Sequence, residues 1–235
     1  MKNKMNINDI FNEKSINIFT DASIMQLPNR EYMGAPGYVV VYKDEVIERD
    51  CYIISNTTNN NSEIKAIRMG VAAALKYKNA CIFPNIRIFS DSLLCIRGLR
   101  EWIYKWKTNP AGTALISSSG SPVANQDIFL EIANYIIMNN LEIEFFHQRG
   151  HISLANPNSV IAATDDFNKF NYGYNADIEL VKQLSYYNNM VDEMTRSHLQ
   201  AKYSESKYVF EDACRFNLIN KIDLGKYYEL THRDI

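Results

Sequence analysis

Apolar residues first occur in short runs typical of strands and later recur at the spacing of helices. Five strands are predicted, at residues 15–20, 38–42, 46–54, 86–90 and 141–146. Helices are predicted at residues 62–78, 92–107, 126–139 and 190–202. Pro28, Gly34, Pro36 and Gly37 predict a loop between the first two strands. Three hairpin-linked strands followed by alternating strands and helices indicate an α/β fold, with a five-stranded mixed sheet flanked by helices.

Three further segments lack this regular pattern. Residues 1–14 are polar and predict a loose leader or a short helix, so the main domain is expected at residues 15–204. Residues 148–188 read as mostly irregular, and 152–187 are interpreted as an insertion, because so long a loop is unusual inside a compact domain. Residues 205–235 form a C-terminal extension with a helix expected near residues 208–219.

Composition limits the classes of protein that fit. The 235 residues include 46% hydrophobic ones, enough for an ordinary core. With 25 basic and 27 acidic residues, a globally basic nucleic-acid-binding protein is excluded, and any such binding needs a local patch. The four cysteines form no C-x-x-C pair, we expect no secretory signal, and no apolar run is long enough for a membrane helix. We therefore expect a cytoplasmic protein without membrane contact; the sequence leaves its oligomeric state open, and a monomer is favoured.

Four carboxylates stand where catalytic sites form in α/β sheets. Asp21 and Asp91 each follow a predicted strand, Glu63 begins a helix on its apolar side, and Asp192 begins a later helix. Taken singly, each could be a turn or helix-capping residue. Together, and without a histidine or cysteine cluster, they favour a hard cation held by oxygen, so two Mg²⁺ ions are expected, with Mn²⁺ as a substitute.

Six short motifs then resemble the type 1 ribonuclease H family, in the order that the family has them. They are Ile18-Phe19-Thr20-Asp21-Ala22-Ser23, Thr57-Thr58-Asn59-Asn60 with Glu63, Ile88-Phe89-Ser90-Asp91-Ser92, Trp102-Ile103-Tyr104-Lys105-Trp106-Lys107, Gln148-Arg149-Gly150-His151 and Asn188-Asn189-Met190-Val191-Asp192-Glu193-Met194-Thr195-Arg196. The resemblance implies a ribonuclease H-like fold and an endonuclease that cuts the RNA strand of RNA–DNA hybrids, leaving 5′-phosphate and 3′-hydroxyl ends.

The resemblance also assigns roles to individual residues. It implies that Asp21, Glu63, Asp91 and Asp192 bind the metal ions, that Glu63 senses the 2′-hydroxyl group of the RNA, and that His151 helps the product to leave. It implies contacts with the hybrid for a larger set: Thr58, Asn59, Asn60, Arg100, Trp102, Lys105, Trp106, Lys107 and Asn188.

The chain departs from the family pattern at three places. Ala22 replaces a glycine, Thr108-Asn109-Pro110 dilutes the basic protrusion, and 41 positions separate His151 from Asp192. Because of this insertion, Asp165, Asp166 and Asp177 are rival candidates for the fourth acid. The alternative for His151 is an ordinary loop histidine, and His147, which ends a strand, is expected to be structural.

Other readings stay open at this point. The aromatic run Phe167, Phe170, Tyr172 and Tyr174 would either stack on bases or pack its own loop, and Trp102 and Trp106 would serve either the core or the nucleic acid. At the level of function, the alternatives are a catalytically weak protein that binds hybrids or double-stranded RNA, and a nuclease of the same fold that acts on other nucleic acids.

Overall fold

The computed structural model describes residues 3–28, 30–80, 85–205 and 222–232. The strands of its main sheet are β2 (Ser15–Gln26), β3 (Tyr32–Tyr42), β4 (Glu45–Cys51), β5 (Ile54–Ser55), β6 (Asn85–Ser90) and β9 (Ile143–His147). Their order in the sheet is β4-β3-β2-β6-β9, and the short β5 pairs with β3. Strands β2, β3 and β4 are antiparallel, whereas β2, β6 and β9 are parallel. The predicted mixed five-stranded sheet is confirmed, with β5 as a short addition.

Seven helices and two small strand pairs accompany the sheet in the described part of the chain. The helices are α1 (Ile7–Ile10), α2 (Asn59–Ala80), α3 (Leu93–Arg97), α4 (Gln126–Met138), α5 (Pro157–Phe170), α6 (Ile178–Glu205) and α7 (Leu224–Thr231). The paired strands are β1 (Asn3–Met5) with β10 (Tyr174–Ala176), and β7 (Lys107–Thr108) with β8 (Leu115–Ile116). A π-helical turn, Gly98–Trp102, directly follows α3.

Both faces of the sheet are covered, which explains why the central strands β2, β3 and β6 are buried along most of their length, whereas the edge strand β4 is largely exposed. Ile18, Val40 and Ile88 point into a core shared with α2, α3, α4 and α7. Their neighbours Phe19 and Phe89 point to the other face, into a core shared with α1, α5 and α6. Successive strand residues thus alternate between two interiors.

The first hairpin is longer than the sequence predicts. Strand β2 continues past Asp21 to Gln26, and the glycines expected in a loop lie inside β3. Gly37 sits there because α6 passes close by: a Cβ atom at this position would lie 2.8 Å from Cγ2 of Thr195. The small residue permits helix–sheet contact and does not mark a turn.

The insertion is ordered, contrary to the irregular segment that the sequence predicts. Its residues form α5, β10 and the first part of α6, so the helix predicted at residues 190–202 already begins at Ile178. Val160, Ala163 and Phe167 are buried against the sheet, and the Phe167 ring stacks on Phe146 at 6.1 Å. Because the segment is rich in polar residues, its sequence did not reveal the apolar stripe of α5. The expected leader also packs here, since β1 pairs with β10.

Two other segments differ from the expectations. The helix predicted at residues 92–107 ends at Trp102, and the chain beyond it forms a hairpin of β7 and β8. In the C-terminal extension, α7 buries Tyr227, whose hydroxyl donates to the Leu99 carbonyl at 3.0 Å. The helix expected near residues 208–219 lies outside the described residues.

A search of the described helices for one with the length and apolarity of a membrane span found none.

Candidate active site

The strand register brings Asp21 and Asp91 together. Parallel pairing of β2 with β6 ends at the partners Thr20 and Ser90, so these two acids are the next residue on each strand. Asp91 leaves the sheet at this point, whereas Asp21 remains paired with Gly37 of β3. The sequence correctly placed Asp91 after a strand, but Asp21 lies within one, because β2 outlasts its parallel partner.

Helix α2 adds Glu63 to this pair. Its apolar residues Ile64 and Ile67 are fully buried against the sheet, and this packing holds Glu63 over the strand ends. Carboxylate oxygens of Asp21, Glu63 and Asp91 all lie within 4.8 Å of one another. Three acids at this separation form a ligand set for a divalent cation.

The three carboxylates are poorly compensated. Asp21 and Glu63 are 4% and 5% exposed, and Oδ2 of Asp21 and Oε2 of Glu63 have no hydrogen-bond partner among the described residues. Burial raises the pKa of Asp21 well above its usual value, and the charge of Asp91 raises it further. Burial likewise raises the pKa of Glu63, followed by the charge of Asp21. Such a cluster lacks positive charge at its centre, which a bound cation would supply.

Asp192 and His151 complete the rim of the site. Nδ1 of His151 lies 3.5 Å from Oδ2 of Asp192, and Arg196, one turn further along α6, pairs with the same carboxylate. Ser23 ties α6 to β2 through a 2.9 Å hydrogen bond with Thr195. All four acids and His151 line one cavity of about 530 Å³. The insertion therefore does not displace Asp192, because α6 packs directly on the sheet.

His147 serves the structure of this site. It is buried, and its Nε2 lies 3.2 Å from the backbone carbonyl oxygen of Asp91. Burial lowers the pKa of His147 to about 4, so the ring is neutral at pH 7 and donates this hydrogen bond. His151, by contrast, has a side chain that is 75% exposed and a backbone φ of 53°.

The sequence profile of the RNase H family matches residues 13–164 of this chain. The chain belongs to the RNase H family. It is 32% identical over 138 residues to ribonuclease HI of Haemophilus ducreyi, a match that covers 59% of this chain and 80% of the relative. Ribonuclease H of Treponema denticola is 31% identical over 147 residues, covering 58% and 86%.

Solved structures were also matched. An RNase H1 isolated from compost is 17% identical, with 66% of this chain and 97% of that chain covered and a TM-score of 0.44. The RNase H domain of PFV is 20% identical, with coverages of 68% and 96% and a TM-score of 0.45.

The protein is thus a ribonuclease H of type 1, from a family that uses divalent metal ions. The matched range includes Asp21, Glu63, Asp91 and His151 and ends within α5. Asp192 lies beyond it, and the three-dimensional arrangement brings this residue to the cavity that the other acids line.

The rivals for the fourth acid point elsewhere. Asp165 is exposed on α5, and Asp166 of the same helix pairs with Arg149 at 3.2 Å. Asp177 accepts a hydrogen bond from the Leu180 backbone at the start of α6. None of the three lines the cavity that contains Asp192.

The residues expected to contact the hybrid fall into three groups. Thr58, Asn59 and Asn60 are exposed at the start of α2, and Asn59 lines the active-site cavity. Lys105 and Lys107 are exposed, whereas Trp102 is half-buried beneath Arg97 and Trp106 packs on the Phe129 ring at 5.1 Å. The third group, Asn188 and Arg100, faces away from solvent or from the segment that contains Lys105 and Lys107.

That third group consists of Asn188 and Arg100. Asn188 is 1% exposed and accepts a 2.6 Å hydrogen bond from Gln148, so its side chain offers no surface to a substrate. Arg100 lies in a separate cavity and donates to Asn171 at 3.4 Å.

Two residues of the site, Arg196 and Gly150, stand in the family motifs, but the sequence assigned them no role. Arg196 could have been found from its spacing, since it lies four positions after Asp192 on one helix. Gly150 gave no signal beyond its place beside His151. A Cβ atom at Gly150 would lie 2.0 Å from Oδ2 of Asp91, so the loop backbone touches this carboxylate.

We expect Gly150→Ala to lower the rate of hydrolysis by about 100-fold, because the added methyl group displaces Asp91 or the His151 loop by an ångström or more. Steady-state cleavage rates measure this effect. Gly225→Ala in α7 is the matched control and keeps the wild-type rate. Wild-type kinetics in Gly150→Ala would contradict the close approach.

Proposed function

We propose that this ribonuclease H is an endonuclease that hydrolyses the RNA strand of RNA–DNA hybrids with two divalent metal ions, leaving 5′-phosphate and 3′-hydroxyl ends. Mg²⁺ is the expected ion, and Mn²⁺ can replace it. The observation that carries the proposal is the convergence of three carboxylates, two of which keep a buried oxygen atom without a partner.

The donor set fits a hard cation. Asp21, Glu63, Asp91 and Asp192 offer only oxygen ligands, and neither of the two cysteines in the described ranges, Cys51 and Cys95, lines the cavity. This chemistry suits Mg²⁺ and Mn²⁺ and does not favour zinc. When bound, such ions activate a water molecule and stabilise the charge that develops on the phosphodiester.

The chain's own residues would divide the remaining tasks. Asp21, the least exposed of the four acids, would help to hold the metal ions. Glu63 lies in the same helix as Asn59 and Asn60, one turn from their exposed side chains, so metal binding and recognition of the RNA 2′-hydroxyl group would be coupled. His151 is exposed at the mouth of the cavity, where it would help the product to leave.

Other residues would contact the hybrid outside this centre. Thr58, Asn59 and Asn60, which are exposed, would contact its minor groove. Lys105 and Lys107, with the half-buried Trp102, form a small basic segment that would contact the phosphates of the DNA strand. Few basic side chains would contact the phosphates, so the affinity for the hybrid is expected to depend only weakly on salt concentration.

Cleavage assays on matched substrates test the function. One sequence is prepared as an RNA–DNA hybrid, as duplex RNA and as duplex DNA, each with Mg²⁺ or Mn²⁺, and the product ends are identified by mass spectrometry. Selective cutting of the hybrid with 5′-phosphate products supports the proposal. Tight hybrid binding without cleavage would favour a binding protein, and cutting of duplex RNA or DNA would indicate a different nuclease specificity.

We expect Glu63→Gln to stabilise the metal-free protein. The substitution removes a buried charge that Asp21 and Asp91 repel, which adds about 1–2 kcal/mol to the free energy of unfolding, or roughly 2–8 °C in Tm. Thermal melts in EDTA measure this effect, and Glu193→Gln on the exposed side of α6 is the control. Mg²⁺ raises the Tm of the wild type more than that of Glu63→Gln. A lower Tm for the variant in EDTA would argue against an uncompensated site.

A further inference from the structure

A second cavity lies at the β9 edge of the sheet, away from the four acids. Its volume is about 350 Å³, in the range of sites for small molecules, and its walls come from the π-helical turn, β9, β10 and α7. The residues that matter for its chemistry are Arg100, Tyr172, Tyr174, Tyr228 and His232. Residues of the insertion and of the C-terminal extension form much of its wall, and neither segment contains any of the four acids.

Arg100 provides the positive charge of this cavity. Its guanidinium is largely enclosed, and its hydrogen bond to the amide oxygen of Asn171 is long, at 3.4 Å. The two carboxylates in the same wall are engaged elsewhere: Glu101 pairs with Arg97 at 3.2 Å, and Glu144 with Arg87 at 3.1 Å. Within the described residues Arg100 forms no ion pair, which leaves its charge available to an anion.

Aromatic rings provide flat faces next to this charge. Tyr228 stacks on His232 with ring centroids 4.2 Å apart and planes 8° apart, and Nε2 of His232 lies 3.1 Å from the carbonyl oxygen of Arg100. Tyr228 and Tyr172 are 52% and 57% exposed, although large aromatic side chains are usually covered. A rigid ring pair beside an enclosed guanidinium is suited to a planar, negatively charged ligand.

We propose that this cavity binds a single nucleotide, with the phosphate on Arg100 and the base against Tyr172 and Tyr228. The cavity has room for one nucleotide and not for a duplex. Such a nucleotide has two sources: a free mononucleotide, or an unpaired nucleotide of a strand that extends beyond a hybrid. The site lies apart from the metal ligands, although Asn171 and His147 connect Arg100 to Asp91 through successive hydrogen bonds.

Isothermal titration calorimetry on the full chain in EDTA tests the site without turnover. Adenosine 5′-monophosphate is expected to bind about tenfold more tightly than adenosine or inorganic phosphate, because only it has both groups. Arg100→Gln and Tyr172→Leu each weaken its binding by about tenfold. The matched controls are Arg49→Gln at the opposite edge of the sheet and Tyr186→Leu on α6, both exposed, and they bind as the wild type does.

Fluorescence anisotropy distinguishes the two sources. A blunt hybrid is compared, in EDTA, with the same hybrid carrying a single-stranded extension at either end. Tighter binding of the extended hybrid that is lost in Tyr172→Leu identifies the strand as the source. Binding of the mononucleotide without this gain identifies the free nucleotide.

Two results overturn the proposal. In the first, the wild-type protein does not bind adenosine 5′-monophosphate at millimolar concentration and does not bind the extended hybrid more tightly than the blunt one. In the second, Tyr172→Leu and Arg100→Gln proteins bind the mononucleotide and the extended hybrid as the wild type does. Tyr172 is exposed, so its variant remains informative if Arg100→Gln fails to fold. Because these measurements need neither metal nor hydrolysis, their failure is distinct from a failure of the nuclease assay.

Discussion

We expect Asp21→Asn to lower hydrolysis of an RNA–DNA hybrid by a factor on the order of 10³ or more, at unchanged fold. Asp21 is the least exposed of the four acids, and the charges of both Asp91 and Asp192 raise its pKa. Asparagine has nearly the same shape but no charge, so it weakens the hold on a cation without disturbing the packing. Single-turnover cleavage with Mg²⁺ and with Mn²⁺ measures the loss.

The control for this variant is Asp165→Asn. Asp165 is an exposed acid of the insertion and lies outside the active-site cavity, so we expect wild-type cleavage. Circular dichroism and hybrid binding in EDTA verify that Asp21→Asn stays folded and still binds. Cleavage within a few-fold of the wild type would remove Asp21 from the catalytic set.

Asn171→Ala is expected to lower the free energy of unfolding more than any of the other substitutions described above. The side chain is fully buried, accepts from the His147 backbone N–H at 2.8 Å and donates to the His147 carbonyl at 2.7 Å. It thus takes the place of a neighbouring strand at the open edge of β9. Alanine leaves these backbone groups without partners, which costs about 2–4 kcal/mol, or roughly 5–15 °C in Tm.

Thermal and urea unfolding measure this effect, with Asn158→Ala as the control. Asn158 is exposed near the start of α5, and its replacement is expected to leave the Tm almost unchanged. Asn171→Asp separates the two hydrogen bonds, since the carboxylate still accepts from the His147 N–H but cannot donate to its carbonyl. If Asn171→Ala unfolded with the wild-type Tm, the insertion would not brace the strand that carries His147.

The chemistry of the site was visible in the sequence because it depends on residue types at ordered positions. Short apolar runs that end at Asp21 and Asp91, and a helix that begins near Glu63, restrict these acids to one edge of a sheet. The mixed sheet itself followed from the order of strands and helices. These features are local, so hydrophobic periodicity and turn residues reveal them.

The interior contacts were not visible in this way. Gly34 and Gly37 look like loop residues, yet they lie in β3 because helices and side chains approach that strand closely. Half of the residues of α5 are polar, and its packing against Phe146 shows which of its apolar residues form the buried stripe. Local propensity cannot register a neighbour that is distant in sequence.

By itself, therefore, the sequence determined the mixed sheet, the acids that follow its strands and the family motifs. Tertiary structure decided three other matters: that α6 brings Asp192 back to the other acids across the insertion, that Arg196 and Gly150 touch the acid cluster, and that Arg100 and Asn188 turn inward. The physical reason is that residue type and spacing fix local conformation, whereas the position of a helix on a sheet depends on the summed packing of side chains far apart in the chain.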